Sequence, residues 1–454
     1  MTLRFGKAFS KFAWQLYFLI GLLIVQVVAL LMWGLAWMSA TTPTTLSFVV
    51  PLDEAEYWQP LVDDFEADNP DIELELVQGE YTTDQVKAIY TSDLSTGQPQ
   101  YDLIYMDIIW VPWFASEGWL ADLSGYLSSD ELAQFIPSEV AAGRYQGRLY
   151  RIPFRPDVGV LLYNQAVLEQ GQVSPPTTWR HLMDRSQTLQ AQTRVPWGYL
   201  WQGRAYEGLV VNFVEVLAGM GGTWIDADTG EVGLDQPVAI AAAQFLHQTI
   251  QQGVSPETIT SYGETESFQQ FQAGESAFLR SWPYFWRLVQ ADAASADSVG
   301  LAALPKAPGK SGSACRGGWG FAIPQATEHL EQAWRAVEYL TSTAVQRQFV
   351  LSSGHLPSRL DLFEAPDILE RYPHFPELLT RLTDHSIFRP QIPQYDRASQ
   401  ILQTHLWRLL IGEQSAEQAM ARAAQETRAL LGGVLDSGRT DSVRNQTSAT
   451  RLPL

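Results

Sequence analysis

Tryptophans set among small and charged residues are the most suggestive chemical feature of this sequence. The 454 residues include 16 tryptophans, and 12% of all residues are aromatic. Taken singly, such a tryptophan is more often core packing than a binding surface. As a group beside carboxylates they suit sugars, which present flat C–H faces rimmed by hydroxyls. The tryptophans that adjoin glycine, proline or acidic residues are Trp110, Trp113, Trp201, Trp282, Trp286 and Trp319.

Acidic residues follow two predicted strands, where a ligand crevice is expected. Beyond the first forty or so residues, short β-rich runs alternate with helical stretches, which predicts parallel α/β sheets. The strands Leu46–Val50 and Tyr101–Met106 are the first and third of a βαβαβ unit. In open sheets the crevice lies outside the carboxyl ends of the strands. We therefore expect Asp53, Glu54 and Asp107 to face it.

Other chemistries have weaker signals. The stretch 304–311 resembles a phosphate loop, but it begins with leucine instead of glycine and has Pro308 inside the cradle. Asp226 and Asp228 resemble the opening of a calcium loop, yet Glu231 stands where glycine is required. The seven histidines are scattered, so we predict no metal site, no cofactor and no catalytic residues. A glycan-acting enzyme stays open as an alternative, because a glycosidase needs only two carboxylates.

Charge and cysteine content exclude further classes. The formal net charge of −20 argues against a nucleic-acid partner, because phosphate binding needs clustered lysine and arginine. The lone Cys315 excludes an internal disulfide framework and a thiolate metal cluster, and it is best explained as a small buried apolar side chain. A chain of this length exceeds what one core usually organises, so two compact units are expected.

The N-terminal segment is predicted to hold the protein at a membrane. Residues Trp14 to Met38 are almost entirely apolar, which is long enough for a helix to cross about 30 Å of hydrocarbon. Three basic residues and no acidic residue precede this span, so the head should be cytoplasmic and the bulk exported. A cut after Ala40 places Met38 at a position that requires a small residue. We expect an uncleaved signal anchor, with cleavage to a soluble periplasmic protein as the alternative.

Short motifs follow one another in a recognisable order from Leu46 to about Leu430. Each motif alone is weakly specific, whereas their ordered succession is specific. The motifs are Asp53–Trp58, Tyr101–Trp110, Phe114–Leu120, Ile152–Tyr163, Trp201–Leu209, Ser281–Tyr284, Gly317–Pro324 and Pro357–Asp361.

Together these motifs resemble the family 1 extracellular solute-binding proteins of sugar ABC transporters, within them the trehalose/maltose-binding branch. The resemblance implies that Glu54 reaches the sugar and that Asp107 accepts hydrogen bonds from its hydroxyls. It also implies that Asp157, just past the hinge, points into the cleft. Arg155 stands where the family pattern has an aromatic residue, which changes the expected contact with one sugar ring.

The same resemblance assigns the second half of the binding site. Trp282 and Tyr284 are similar to the aromatic platforms of the second lobe. Gly318 and Trp319 belong to a Gly-Gly-Trp turn whose backbone amides and indole meet the ligand. Arg359 corresponds to an arginine that donates to sugar oxygens.

The fold implied is α/β, the two-lobe periplasmic binding fold of type II, with discontinuous lobes around a central cleft and an added N-terminal transmembrane helix. Crossings are expected near Pro153–Pro156, Val299–Leu304 and Thr341–Ala344. The predicted parts are a cytoplasmic head and anchor (1–40), an N-lobe (44–156 plus 300–343), a C-lobe (157–299 plus 344–433) and a polar, disordered tail (434–454).

The expected function is capture of a small α-glucoside such as trehalose, maltose, sucrose or glucosylglycerol at the periplasmic side of the inner membrane. The expected partners are ABC permease subunits with an ATPase, and the binding protein is expected to be a monomer. A membrane-anchored sugar sensor or scaffold with the same fold is the other alternative.

Overall fold

The computed structural model describes Gln26 and residues 42–51, 54–79, 82–227, 229–291, 298–310 and 312–447. Apart from Gln26, the predicted signal anchor lies outside these residues, and so do Asp53 and Asp228. Among the helices that the structure describes, none combines the length and the apolar character that a membrane crossing requires.

Strands and helices alternate along most of the described chain. The strands are β1 (Thr44–Pro51), β2 (Ile72–Gly79), β3 (Ile104–Asp107), β4 (Arg144–Tyr145), β5 (Arg148–Leu149), β6 (Ile152–Val158), β7 (Val160–Asn164), β8 (Trp197–Leu200), β9 (Ser276–Ser281), β10 (Val299–Ala302), β11 (Ala314–Ala322) and β12 (Ser386–Ile387).

The helices surround these strands. They are α1 (Ala55–Asp68), α2 (Thr83–Leu94), α3 (Val111–Ser116), α4 (Ser129–Leu132), α5 (Pro137–Ala142), α6 (Gln165–Gln170), α7 (Trp179–Thr193), α8 (Glu207–Gly219), α9 (Pro237–Gln251), α10 (Glu264–Gln272), α11 (Phe285–Ala291), α12 (Leu330–Leu340), α13 (Thr343–Ser353), α14 (Pro366–Arg371), α15 (Phe375–Asp384), α16 (Tyr395–Leu410) and α17 (Ala416–Thr447).

The predicted βαβαβ unit is confirmed by β1, α1, β2, α2 and β3. Strands β1 and β2 pair in parallel over their whole length, from Thr44 opposite Ile72 to Pro51 opposite Gly79. Thr82 begins α2 with a reciprocal capping box, in which its hydroxyl and the Gln85 side chain each accept a backbone N–H. Alternating buried positions in β2 match the expectation for a strand that is covered on one face.

Strand β11 is the central strand of the first sheet. It pairs antiparallel with β3 and with β6, and in parallel with the short β12. All nine residues of β11 are buried, as expected for a strand with neighbours on both edges.

The second sheet has the order β10-β7-β9-β8. Only β8 and β9 are parallel in it, whereas β7 runs antiparallel to both of its neighbours. Both four-stranded sheets are therefore mixed, which corrects the prediction of parallel sheets there, whereas β1 and β2 form a separate parallel pair. The run from β6 through Gly159 into β7 passes from the first sheet to the second, where β7 lies between two strands that run in the opposite direction.

An aromatic cluster fills the space between the first sheet and its helices. The indole of Trp58, which is fully buried, stacks on Phe154 with ring centroids 4.9 Å apart. Phe321 and Phe349 contact the same indole at 5.7 and 5.0 Å, and Tyr105 lies 5.3 Å away. These rings come from separate elements, so the cluster fixes α1, β3, β6, β11 and α13 relative to one another.

Strand β10 and helix α13 lie at two of the predicted crossings. Strand β10 pairs with β7, so the chain rejoins the first sheet only after Ala302. Helix α13 packs against α1, so the chain stays beside the first sheet beyond the predicted crossing at Thr341–Ala344. The overall lobe limits remain a prediction.

The last helix includes part of the polar tail. Helix α17 continues to Thr447, although the composition after 433 predicts disorder. No proline occurs between 434 and 447, so nothing in the local backbone chemistry forces the helix to end earlier.

Replacing Phe154 by alanine should lower the free energy of unfolding by about 3–5 kcal/mol, because a buried ring is removed from the centre of the cluster. Chemical denaturation followed by tryptophan fluorescence measures the change. The control is Ile411→Ala at a position that is 39% exposed, where we expect a change within about 0.5 kcal/mol. Equal losses in both variants would show that the cluster is not central to stability.

Candidate functional site

Strand β11 places the predicted site residues of three strands side by side. Trp319 lies opposite Asp107 of β3 on one edge and opposite Arg155 of β6 on the other. Gly317 lies opposite Asp157. Arg155 and Asp157 are two residues apart on a strand, so their side chains share a face of the sheet. The backbone register alone therefore gathers these residues at one place.

The guanidinium of Arg155 is the centre of a buried polar cluster. It donates from Nε to the Tyr105 hydroxyl over 2.7 Å and from Nη1 to Asp157 Oδ2 over 2.9 Å. A third bond joins Nη2 to Glu54 Oε1, and the Tyr105 hydroxyl donates to Glu54 Oε2 over 3.1 Å. The guanidinium carbon also lies 5.6 Å from the Trp319 ring. Arg155 thus joins Glu54 and Asp157, two of the three carboxylates that the motif resemblance assigns to sugar binding.

Asp157 keeps an unused acceptor in this cluster. Its side chain is buried, and among the described residues its Oδ1 has no hydrogen-bond partner. Burial raises the pKa of Asp157 to about 7, against the opposing effect of the Arg155 charge. A carboxyl group in this state either accepts or donates a hydrogen bond near neutral pH.

A second charged group connects strand β3 to the start of helix α8. Arg389, which follows β12, donates from Nη2 to Asp107 Oδ1 over 3.3 Å and from Nη1 to Glu207 Oε1 over 2.8 Å. Glu207 begins α8, and its carboxylate also accepts from the Ser399 hydroxyl over 2.7 Å. Sequence reasoning missed Arg389 and Glu207 as a pair, because only the fold brings these distant positions together.

The aromatic platforms predicted for the second lobe have one face covered by protein. The Arg280 guanidinium carbon lies 3.9 Å from the ring centre of Trp282, and the indole remains partly exposed. Tyr284 stacks on His355 with ring centroids 4.6 Å apart. Burial lowers the pKa of His355 well below its usual value, so this imidazole is neutral when it stacks.

Gly318 has a backbone conformation that requires glycine. Its φ is +140°, and a β-carbon would lie 2.8 Å from the Arg155 carbonyl oxygen. The Gly-Gly-Trp turn predicted from the sequence therefore brings β11 close to β6, beside the Arg155 cluster.

Arg359 is not brought to this cluster. Its guanidinium donates to the Thr341 carbonyl over 2.7 Å and to Gln134 Oε1 over 2.6 Å, and it covers the Phe135 ring at 4.4 Å. These contacts stabilise the local loop and do not involve any of the other predicted site residues. The donation of Arg359 to sugar oxygens stays a prediction.

Trp201 is a core residue. It is fully buried, and its Nε1 donates over 3.2 Å to both the Thr249 and Ser255 hydroxyls. The simpler interpretation of this tryptophan is therefore correct, whereas Trp282 and Trp319 contact charged site residues.

Direct contacts across the cleft surround the cluster. Lys87 of α2 pairs with Asp84 at 3.0 Å and with Asp396 of α16. Asp84 Oδ2 also accepts from the backbone N–H of Glu207 over 3.1 Å, at the start of α8. The cavity lined by Lys87, Trp110, Glu207 and Asp396 has a volume of about 10 Å³, about the space that one water molecule needs. A sugar does not fit in this cavity, so binding there needs the surrounding helices to move apart.

Asp157→Asn should change how stability depends on pH. Because the folded-state pKa of Asp157, about 7, exceeds the ordinary aspartate value of 3.8, the folded protein retains a proton that the unfolded chain loses between these pH values. Wild-type stability therefore falls as pH rises from about 4 to 7, and asparagine, which does not titrate, removes this loss. The melting temperature of Asp157→Asn minus that of the wild type should be larger at pH 8 than at pH 5. Exposed Asp64→Asn is the control, and parallel pH profiles for Asp157→Asn and the wild type would contradict the assignment.

Comparison with known proteins identifies the family. Residues 51–347 match the model of the bacterial extracellular solute-binding proteins. A probable ABC transporter-binding protein of Deinococcus radiodurans is 31% identical over 323 residues, which are 70% of this chain and 76% of the relative.

Solved structures agree with this relationship. MalE3 of T. maritima with bound maltose has a TM-score of 0.81 and 30% identity, over 85% of this chain and 100% of that one. An ABC transporter solute-binding protein of Thermotoga lettingae bound to α-D-tagatose has a TM-score of 0.76 and 26% identity, over 86% of this chain and 100% of that one. The periplasmic-binding-protein fold, the extracytoplasmic location and a binding rather than enzymatic role follow from this relationship. The chain belongs to the bacterial extracellular solute-binding proteins.

Proposed function

We propose that this protein is the sugar-binding subunit of an ABC importer and that it captures a small α-glucoside such as trehalose, maltose, sucrose or glucosylglycerol. The observation that carries the proposal is the free Oδ1 of Asp157, a buried acceptor close to a partly exposed indole. A β-carbon on Gly317 would lie 3.4 Å from Asp157 Cβ and 3.3 Å from Trp282 Cη2, so the acceptor and the aromatic plate flank the same glycine. A sugar offers a hydroxyl and a C–H face to such a pair.

Related proteins support a sugar or a polyol as the solute. The relatives and neighbours include structures with bound maltose and α-D-tagatose, a maltotriose-binding protein of Pyrococcus abyssi and a mannitol-binding protein of Pseudomonas aeruginosa. The restriction to α-glucosides rests on the motif resemblance and on the maltose-bound neighbour. The permease and ATPase partners rest on the ABC transporter relatives.

The charges of the cleft favour a neutral solute. Arg155 is shared by Glu54 and Asp157, and Arg389 is shared by Asp107 and Glu207. Each arginine is therefore outnumbered by carboxylates, which disfavours an anionic ligand. Sugar hydroxyls are both donors and acceptors, so they can replace bonds in these clusters without adding a buried charge.

Closure around the solute is the proposed mechanism. Arg389 bridges Asp107 on the first sheet and Glu207 beside the second, and Lys87 bridges α2 and α16. A solute that contacts both sides stabilises the closed arrangement by the free energy of those contacts. The closed form then docks on the permease, and opening releases the sugar.

The proposal includes the predicted membrane attachment. The apolar span Trp14 to Met38 would keep a monomeric binding protein at the periplasmic face of the inner membrane as an uncleaved anchor. Such tethering raises the local concentration of the binding protein near its permease.

Titration calorimetry of the full-length protein against trehalose, maltose, sucrose and glucosylglycerol tests the solute. We expect at least one of them to bind. Trp282→Ala should weaken that binding by about 1–2 kcal/mol through loss of the aromatic plate, and Asp107→Ala by about 2 kcal/mol through loss of a charged acceptor. Trp286→Ala is the matched control, because this indole packs on His374.

Two outcomes would contradict the proposal. Absence of binding to all four sugars excludes the α-glucoside class. Equal affinities of wild type, Trp282→Ala and Asp107→Ala, with all three proteins folded, exclude the site.

A further inference from the structure

Glu215 and Arg280 form a buried ion pair outside the cluster described above. Arg280 Nε and Nη2 donate to the two Glu215 carboxylate oxygens over 2.8 and 2.7 Å, and both side chains are 1% exposed. Burying two charges costs several kcal/mol, so such a pair is weak support for stability by itself. Its surroundings indicate what the pair does.

The pair lies at the junction where the chain passes from one sheet to the other. Glu215 Oε1 also accepts from the backbone N–H of Cys315 in β11, over 3.0 Å. Cys315 in turn accepts from the N–H of Gly159, the residue between β6 and β7, over 3.1 Å. A β-carbon on Gly159 would lie 2.0 Å from Glu215 Oε1 and 3.0 Å from Arg280 Nη2. The junction therefore has room for the ion pair only because residue 159 is glycine.

The same arginine reaches the aromatic platform. Its guanidinium carbon lies 3.9 Å from the ring centre of Trp282, two residues further along the chain, so it covers one face of the indole. The edge of that indole lies near Gly317 of β11. Trp282 is thus held between a cation from the second sheet and the backbone of the first.

We propose that Glu215 and Arg280 are positioning residues, which hold the Trp282 indole against the inter-sheet junction so that its remaining face is presented to the solute. This inference rests on the proposed function, because it takes Trp282 as the sugar platform. Glu215 orients the Arg280 guanidinium, and the guanidinium orients the Trp282 indole. The hydrogen bond from the Cys315 N–H to Glu215 connects this group to β11. Separation of the sheets at the junction then moves the platform together with the cleft.

Arg280→Lys tests the positioning directly. Lysine keeps the positive charge and loses the planar fork that binds two oxygens and covers the ring. In the solute-free protein, the near-ultraviolet dichroism of Trp282 is obtained as wild type minus Trp282→Phe. The same difference in the Arg280→Lys background should be much smaller, because the indole is no longer held in one orientation. Glu215→Gln keeps the shape and the acceptor for Cys315, and it should reduce the signal in the same direction.

Binding of the tightest sugar among maltose, trehalose, sucrose and glucosylglycerol gives the second readout. Arg280→Lys should weaken it about tenfold, and in a Trp282→Ala background the same change should have little further effect. A purely structural role predicts additive losses. Arg428→Lys is the control, since Arg428 makes the same two-pronged contact with Asp235, at 2.7 Å for both oxygens, away from Trp282.

The outcomes distinguish a failure of the positioning role from a failure of the sugar site itself. An unchanged Trp282 signal in both folded variants, or additive losses of affinity, overturns the positioning role and leaves the sugar site intact. If Trp282→Ala itself binds the sugar as well as wild type does, the platform assignment fails, and the positioning role for solute binding fails with it. If Arg280→Lys does not fold, Glu215→Gln decides the first readout.

Discussion

The Arg155 guanidinium is the interaction on which the cleft depends. It lies among Glu54, Tyr105 and Asp157 at a place where water is largely excluded. A buried cation is tolerated only when carboxylates and hydroxyls satisfy its donors. Meeting that requirement fixes the start of α1, the end of β3 and the middle of β6 relative to one another. The position and the charge of the whole site follow from it.

This constraint also explains the chemistry of the site. The motif resemblance led us to expect an aromatic residue at position 155, and here a cation is shared by two carboxylates. One acceptor, Asp157 Oδ1, is left unpaired among the described residues, and the acidic side chains are held in ion pairs rather than poised to attack. Arg389 repeats the arrangement between Asp107 and Glu207. Carboxylates and guanidinium groups that are held in pairs can exchange hydrogen bonds with sugar hydroxyls. This arrangement suits capture of a solute.

The sequence predicted what depends on local pattern. The βαβαβ order and the motifs on β3, β6 and β11 follow from short-range spacing, and the register of β11 brings Asp107, Arg155, Asp157 and Trp319 close together. The sequence could not predict side-chain contacts between residues that lie far apart along the chain. Arg389 reaches Asp107 across 282 positions of sequence, and Arg359 donates to Gln134 and Thr341. The antiparallel course of β7 was missed because hydrophobic pattern does not encode strand direction.

Capture by closure is the central claim, and small-angle X-ray scattering tests it most directly. The protein is measured without solute and with a saturating amount of the tightest sugar from the calorimetric panel, and the sugar is then recovered and identified. A capture mechanism predicts a smaller radius of gyration with the sugar present, and recovery of the sugar unchanged. An identical radius of gyration at saturation, or a new product in the recovered sugar, would contradict it.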